Sequence, residues 1–234
     1  MSALAVRALE KRYGGLTALA GCSFAIEGPG IYGLIGPNGA GKTTLFDVIA
    51  GATPPDRGEV TLQDRRVSGL APHRLVRLGI ARSFQECRVF PEYTCLENLA
   101  FSRIALGSRP DLQEARRLLE LVGLETYADE PAASLSFGQR RLLEIVGTFL
   151  QRPRVLLLDE PSAGVNPALL EILSAFILKM HAERPGLLLV IEHNMEFIMG
   201  LAADIIVMHQ GAVLERGTPQ AIQASPRVIE AYLG

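Results

Sequence analysis

The sequence has no apolar run long enough to cross a bilayer. Its longest uninterrupted apolar stretches, such as 187–191, span a few residues, whereas a membrane-spanning helix needs about 20. The N-terminal segment carries no long apolar stretch before a small-residue cleavage site, so no secretory signal is expected. Charge of one sign is not in excess. A net charge of −2 gives none of the basic character of a nucleic-acid binder, and no nucleic-acid partner is expected. Cysteine is scarce: Cys22, Cys87 and Cys95 form no C-x-x-C pair. That argues against a disulfide framework or a zinc site and fits a reducing cytosol. There is no low-complexity tract and no internal repeat. The hydrophobic share of 48% and charged share of 21% over 234 residues exclude a disordered chain and suit one large α/β domain, or one domain with a small lobe.

The pattern along the chain is α/β. Residues 3–9, 20–27 and 57–63 alternate or are β-branched and read as short strands. The run 30–35 reads as a buried strand, followed by a helix over 42–50 that Gly51 and the Pro54–Pro55 pair stop. From about 91 to 152 the periodicity is helical, with helices in the region of 112–124 and from Gly138 to Gln151. Two continuous apolar strands, 155–158 and 187–191, flank a helix over roughly 168–182. Strands buried on both faces and joined by helices predict a parallel sheet. Residues 203–208 and 212–216 read as a terminal strand pair before a short helical tail. The expected organisation is an α/β core (1–90 and 153–234) interrupted by a helical insert (91–152).

Between the strand at 30–35 and the following helix lies Gly36-Pro37-Asn38-Gly39-Ala40-Gly41-Lys42-Thr43, which matches G-x-x-x-x-G-K-S/T. Small residues let successive backbone N–H groups curl around phosphate oxygens, and the helix end adds positive potential. Lys42 places a point charge on the β- and γ-phosphates, and the Thr43 hydroxyl can ligate Mg²⁺. The chain has three lysines, Lys11, Lys42 and Lys179, against 20 arginines, and one of the three stands here. Farther on, Val155-Leu156-Leu157-Leu158 is an apolar strand ending in Asp159 and Glu160. Asp159 would hold Mg²⁺, and Glu160 would polarise the attacking water as general base.

At Leu135-Ser136-Phe137-Gly138-Gln139 the sequence resembles the signature motif, usually LSGGQ, of ABC-type ATPases. The resemblance extends over nearly the whole chain in the family's order. It implies a P-loop NTPase core with an N-terminal antiparallel β subdomain and an inserted helical subdomain. Tyr13 matches the aromatic residue that stacks on adenine. Residues 36–43, with Thr44 beside them, match Walker A. Gln85 matches the Q-loop glutamine, which contacts metal or water. Val155–Glu160 matches Walker B, Ser162–Asn166 stands at the D-loop, and His193 matches the switch histidine. The resemblance further implies that ATP and Mg²⁺ are the ligands, and that two copies face head to tail. Ser136 and the Gly138 N–H, with Phe137 and Gln139, would then meet the γ-phosphate bound by the other copy.

Within that family the chain resembles the ATPases of branched-chain (hydrophobic) amino acid importers. The similarity rests on the segment after the Q-loop, on the run after the signature, on the Asp159–Pro167 segment and on the ending 225–234. The implied partners are a second ABC ATPase, identical or not, and integral membrane permeases, with a substrate-binding protein met indirectly. The implied location is the inner face of the cell membrane, and Glu86–Tyr93 is the expected contact surface. Phe137 departs from the general signature but fits this subgroup. Asn166 stands where Asp is more usual, and the segment after Glu97-Asn98-Leu99 is shorter than in many amino-acid importers. Urea importers and lipopolysaccharide exporters use related ATPases, so those readings stay open. So do a non-transport ATP clamp and a regulatory protein without turnover. The clamp is disfavoured by a single ATPase unit, and the regulator by the intact Lys42, Gln85, Asp159, Glu160 and His193.

Overall fold

A computed structural model describes residues 3–83, 87–104 and 106–233. In chain order it has strands β1 (Leu4–Tyr13), β2 (Leu16–Ile26) and β3 (Gly30–Ile35), then helix α1 (Lys42–Ile49). Strands β4 (Arg57–Leu62) and β5 (Arg65–Arg66), helix α2 (Pro72–Arg77) and strand β6 (Ile80–Arg82) follow. A helical stretch comes next: α3 (Cys95–Ile104), α4 (Leu112–Leu121) and α5 (Phe137–Leu150). The chain closes with β7 (Val155–Asp159), α6 (Pro167–Glu183), β8 (Leu187–Ile191), α7 (Met195–Leu201), β9 (Asp204–His209), β10 (Ala212–Gly217), α8 (Pro219–Ala224) and α9 (Pro226–Leu233).

Two sheets form. β2, β1, β4 and β5 pair antiparallel, in that order. The other sheet has the order β10-β9-β3-β8-β7-β6, parallel except for β10. Period-2 alternation sends the parallel strands into two cores. Leu156, Leu158, Leu188, Val190, Ile205 and Val207 join the helices on one face. Leu157, Leu189, Ile191, Ile206 and Met208 join α1 and the antiparallel sheet on the other. This is why 155–158 and 187–191 are apolar without interruption. The first of these cores runs on into the helical stretch through Leu99, Leu118 and Leu142.

The elements expected from sequence are present, with longer hairpin strands. β1 runs on to Tyr13 through register shifts near Ala8, whose φ is 46°. Sequence reading places no element at α2, β6 or α7. β6 is three residues long and is a strand only because it pairs with β7, which no local period can report. The three thiols are free, and burial pushes Cys22 up to about 12 and Cys87 and Cys95 up to about 11. That suits inert thiols. Among the described residues no helix is long and apolar enough to cross a membrane.

In an open parallel sheet, ligands sit beyond the carboxyl ends of the strands. Here β3 neighbours β8, β8 neighbours β7 and β7 neighbours β6. The residues at or just beyond those four ends are the phosphate loop, Glu192–His193, Asp159–Glu160 and Arg82–Ser83. One edge of the sheet therefore gathers segments far apart in sequence.

Candidate active site

The phosphate loop is shaped by two close backbone approaches. Gly36 has φ 151°, and a Cβ there would lie 2.1 Å from the Met208 carbonyl oxygen of β9. Gly41 has φ 97°, and a Cβ there would lie 2.4 Å from the Ala18 carbonyl oxygen of β2. Neither position tolerates a side chain. The Gly211 N–H holds the Ala40 carbonyl at 3.0 Å, so both sheets brace the loop. Lys42 opens α1 and turns back beneath the loop. Its Nζ donates to the Gly36 carbonyl at 2.7 Å and to the Pro37 carbonyl at 3.1 Å. Burial lowers the Lys42 pKa, and the carboxylates of Glu160 and Asp159 act in the opposite direction. Asn38, Gly39 and Thr43 are exposed and Thr44 is half-buried.

Asp159 is buried at the end of β7. Its N–H donates to Ser83 Oγ at 3.0 Å, and its Oδ2 accepts from Arg82 Nη2 at 2.8 Å. Glu160 follows with φ 47°, an uncommon value for a residue with a side chain. Its N–H bonds the Ile191 carbonyl at 3.0 Å. This places Glu160 Oε1 3.2 Å from His193 Nε2. The structure thus brings two separately expected site residues, Glu160 and His193, within hydrogen-bond reach of each other. Among the described residues no group of three His, Cys, Asp or Glu side chains gathers as a metal cage. One buried carboxylate and a threonine hydroxyl beside a phosphate cradle still fit Mg²⁺, which takes few protein ligands and shares phosphate oxygens.

Three charged residues were missed by sequence reasoning. Arg141 of α5 is buried, and its Nη2 donates to the carbonyls of Asp159 at 2.7 Å and Glu160 at 3.1 Å. Nη1 pairs with Glu144 at 2.8 Å. Arg141 thereby ties the helix that begins at the signature to the carboxylate pair. Glu192, also buried, accepts from the Ser162 N–H and hydroxyl, each at 2.8 Å, and from the His193 and Asn194 N–H groups at 3.0 and 3.1 Å. It locks the D-loop to the histidine. Arg82 pairs with Asp159 and Asp47. The available signal was a charge next to or among apolar residues: Glu192 directly follows the apolar strand β8, and Arg141 lies among buried positions of α5.

The signature residues do local work. Ser136 caps α5 in a capping box: its Oγ accepts the Gln139 N–H at 3.3 Å, and Gln139 Oε1 accepts the Ser136 N–H at 2.9 Å. Phe137 is half exposed and lies over Gly164, where a Cβ would come 2.5 Å from the ring. Gly138 is buried, with Leu169 close by. Asn166 caps α6 through a bond from the Leu169 N–H at 3.0 Å, a role that Asn fills as well as Asp. Tyr13 ends β1 and is exposed at 46%. The same hairpin supplies the Ala18 contact to Gly41, and Lys11 Nζ lies 5.6 Å from the Tyr13 ring centroid. Gln85 lies outside the described residues.

A family model described as "ABC transporter" matches residues 19–163. The chain belongs to that family. A second model, "Branched-chain amino acid ATP-binding cassette transporter", matches residues 212–234 of this ABC ATPase. The high-affinity branched-chain amino acid transport ATP-binding protein BraF of Pseudomonas aeruginosa is 39% identical over 99% of this chain and 97% of its own length. That alignment runs over 251 positions, so the relative carries residues this chain lacks. The lipopolysaccharide export ATP-binding protein LptB of Acidithiobacillus ferridurans is 34% identical over 99% of this chain and 96% of its own. A crystal structure of a nucleotide-free ATP-binding cassette from an ABC transporter superposes with a TM-score of 0.89 at 30% identity, covering 100% of both chains.

Proposed function

We propose that this ABC ATPase powers the import of branched-chain or other hydrophobic amino acids through separate membrane subunits. One observation favours this reading over lipopolysaccharide export: the C-terminal 212–234 match a model described as a branched-chain amino acid ATP-binding cassette transporter. The identity to BraF points the same way. Purification of the complex from cells, followed by ATP-dependent uptake of leucine into proteoliposomes, tests it. Uptake is expected to stop when the ATPase subunit is omitted. Stimulation by lipopolysaccharide instead, with no leucine uptake, would overturn the substrate.

In this reading Gly36–Thr44 cradle the phosphates and Lys42 leaves the Gly36 and Pro37 carbonyls for the β- and γ-phosphates. Thr43, Asp159 and Gln85 would hold Mg²⁺, which would supply charge neutralisation at the phosphoryl oxygens. Glu160 orients and deprotonates the attacking water, and His193 holds that carboxylate and reaches the γ-phosphate. Ser136–Gln139 present an α-helix N-terminus to the nucleotide of a second ATPase copy, identical or not. The 91–152 segment acts as the lobe that carries it. Tyr13 stacks on adenine. Tyr13→Ala is expected to weaken ATP binding by about 1–3 kcal/mol while Tyr13→Phe changes little. Equilibrium binding of a fluorescent ATP analogue measures both. An unchanged Kd for the alanine variant would leave Tyr13 a hairpin-packing residue.

Docking on the permease is assigned to the surface beside the Q-loop, of which Glu86 lies outside the described residues. Phe90, Tyr93 and Phe101 stack edge to face with centroids 5.0–6.0 Å apart, while Phe90 and Tyr93 remain about half exposed. Asn98 fixes the backbone under them, giving Nδ2–H to the carbonyls of Phe90, Tyr93 and Thr94 and accepting the Phe90 N–H. A groove of about 230 Å³ opens beside the rings. Exposed aromatic side chains on a fixed frame suit a protein interface at the membrane's inner face. Phe90→Ser with Tyr93→Ser is expected to leave the isolated subunit's ATPase rate near wild type and to abolish co-purification with the permeases. Retained co-purification would place the interface elsewhere.

A further inference from the structure

The carboxylate assigned to Mg²⁺ already holds a counter-ion. Arg82, the last residue of β6, gives Nη2–H to Asp159 Oδ2 at 2.8 Å and Nη1–H to Asp47 Oδ1. The Arg82 side chain is 11% exposed and that of Asp159 1%. A carboxylate so deeply buried needs a partner. A guanidinium fixed on Oδ2 also opposes a divalent cation at the same group, by charge and because Mg²⁺ tolerates little distortion of its octahedron. Asp47 offers the guanidinium a second position. It stands four residues after Thr43 on α1, hence on the same helix face as the other assigned metal ligand. The Asp47 side chain is 31% exposed, so it can keep a cation at smaller desolvation cost. Arg82 Nε is buried with no hydrogen-bond partner among the described residues.

We propose that Arg82 is the resident counter-ion of Asp159, displaced from that carboxylate when Mg²⁺ binds with ATP and retained by Asp47. The inference rests on reading the loop and Asp159 as the Mg²⁺–ATP site. Arg82 is a positioning residue: it acts on the metal through Asp159. It also lines the groove beside Phe90, so the exchange takes place within reach of a docked partner.

The exchange predicts opposite shifts for its two partners. The full chain is titrated with Mg²⁺ at a fixed concentration of a non-hydrolysable fluorescent ATP analogue, and melting temperatures are recorded with and without ligand. Arg82→Gln removes the competitor, so the Mg²⁺ midpoint is expected to fall at least about threefold. Its nucleotide-free melting temperature should also fall, because Asp159 loses its partner, and should recover with Mg²⁺ and analogue. Asp47→Asn removes the second position, so the midpoint is expected to rise by a similar factor. Asp47→Asn leaves Asp159 paired and therefore decides the matter even where Arg82→Gln folds poorly. A midpoint unchanged or raised in Arg82→Gln, or unchanged or lowered in Asp47→Asn, overturns the exchange. If the wild-type chain binds no analogue with or without Mg²⁺, the nucleotide-site reading falls and the exchange with it. Binding that is normal but insensitive to both substitutions removes the exchange alone.

Discussion

Glu160→Gln is expected to bind ATP normally and to slow hydrolysis by roughly 10²–10⁴. The substitution keeps the size of the side chain and a hydrogen-bonding oxygen for His193, whose Nε2 lies 3.2 Å from Glu160 Oε1. What it removes is the ability to take a proton from water. The backbone at Glu160, at φ 47° and tied to Ile191 and Arg141, is indifferent to the change, so the site should stay formed. With the γ-phosphate kept in place, Lys42 of one copy and Ser136 of the other would hold it between them, and the variant should accumulate as an ATP-bound dimer. Size-exclusion chromatography with light scattering, with and without ATP, measures the assembly, and phosphate release measures turnover. A variant that stays monomeric at saturating ATP and turns over like wild type would remove both the base and the head-to-tail dimer.

Lys42→Ala is expected to cost ATP affinity about 10–100-fold or more, with hydrolysis falling further. Charge-assisted hydrogen bonds are worth about 1.5–3 kcal/mol each, and developing charge on the γ-phosphate raises the stake in the transition state. Lys42 also braces the loop itself. Its ammonium joins the Gly36 and Pro37 carbonyls, so the variant should also loosen the loop's start. Nucleotide affinity and steady-state ATPase rate are the measurements. Values near wild type for both would sink the assignment of the loop as the phosphate cradle.

Much of this protein was legible in one dimension. The phosphate loop announces itself because its chemistry is local: consecutive small residues, then Lys42 at the first turn of α1, with strand and helix in sequence on either side. The apolar runs ending in Asp159 and near His193 are equally readable, since a strand buried on both faces must be apolar at every position. The helix after the signature is legible from its period, from Gly138 on, one residue inside the observed start at Phe137.

The tertiary structure decided what those segments face. Glu160 meets His193 because β7 and β8 are neighbours in register, Asp159 beside Ile191, and strand order is not written in any local period. β6 is a strand through its pairing with β7, and that pairing carries Arg82 to Asp159. Arg141, Glu192 and Arg82 looked like ordinary charges along the chain. Each proves to be a buried or largely buried partner of groups supplied by a distant segment: the Asp159 and Glu160 carbonyls for Arg141, the Asp159 carboxylate for Arg82 and Ser162 for Glu192. The difference is physical. A motif that binds with its own backbone needs only neighbours in sequence, whereas a buried charge takes its meaning from whichever opposite charge or dipole the fold places within hydrogen-bond reach.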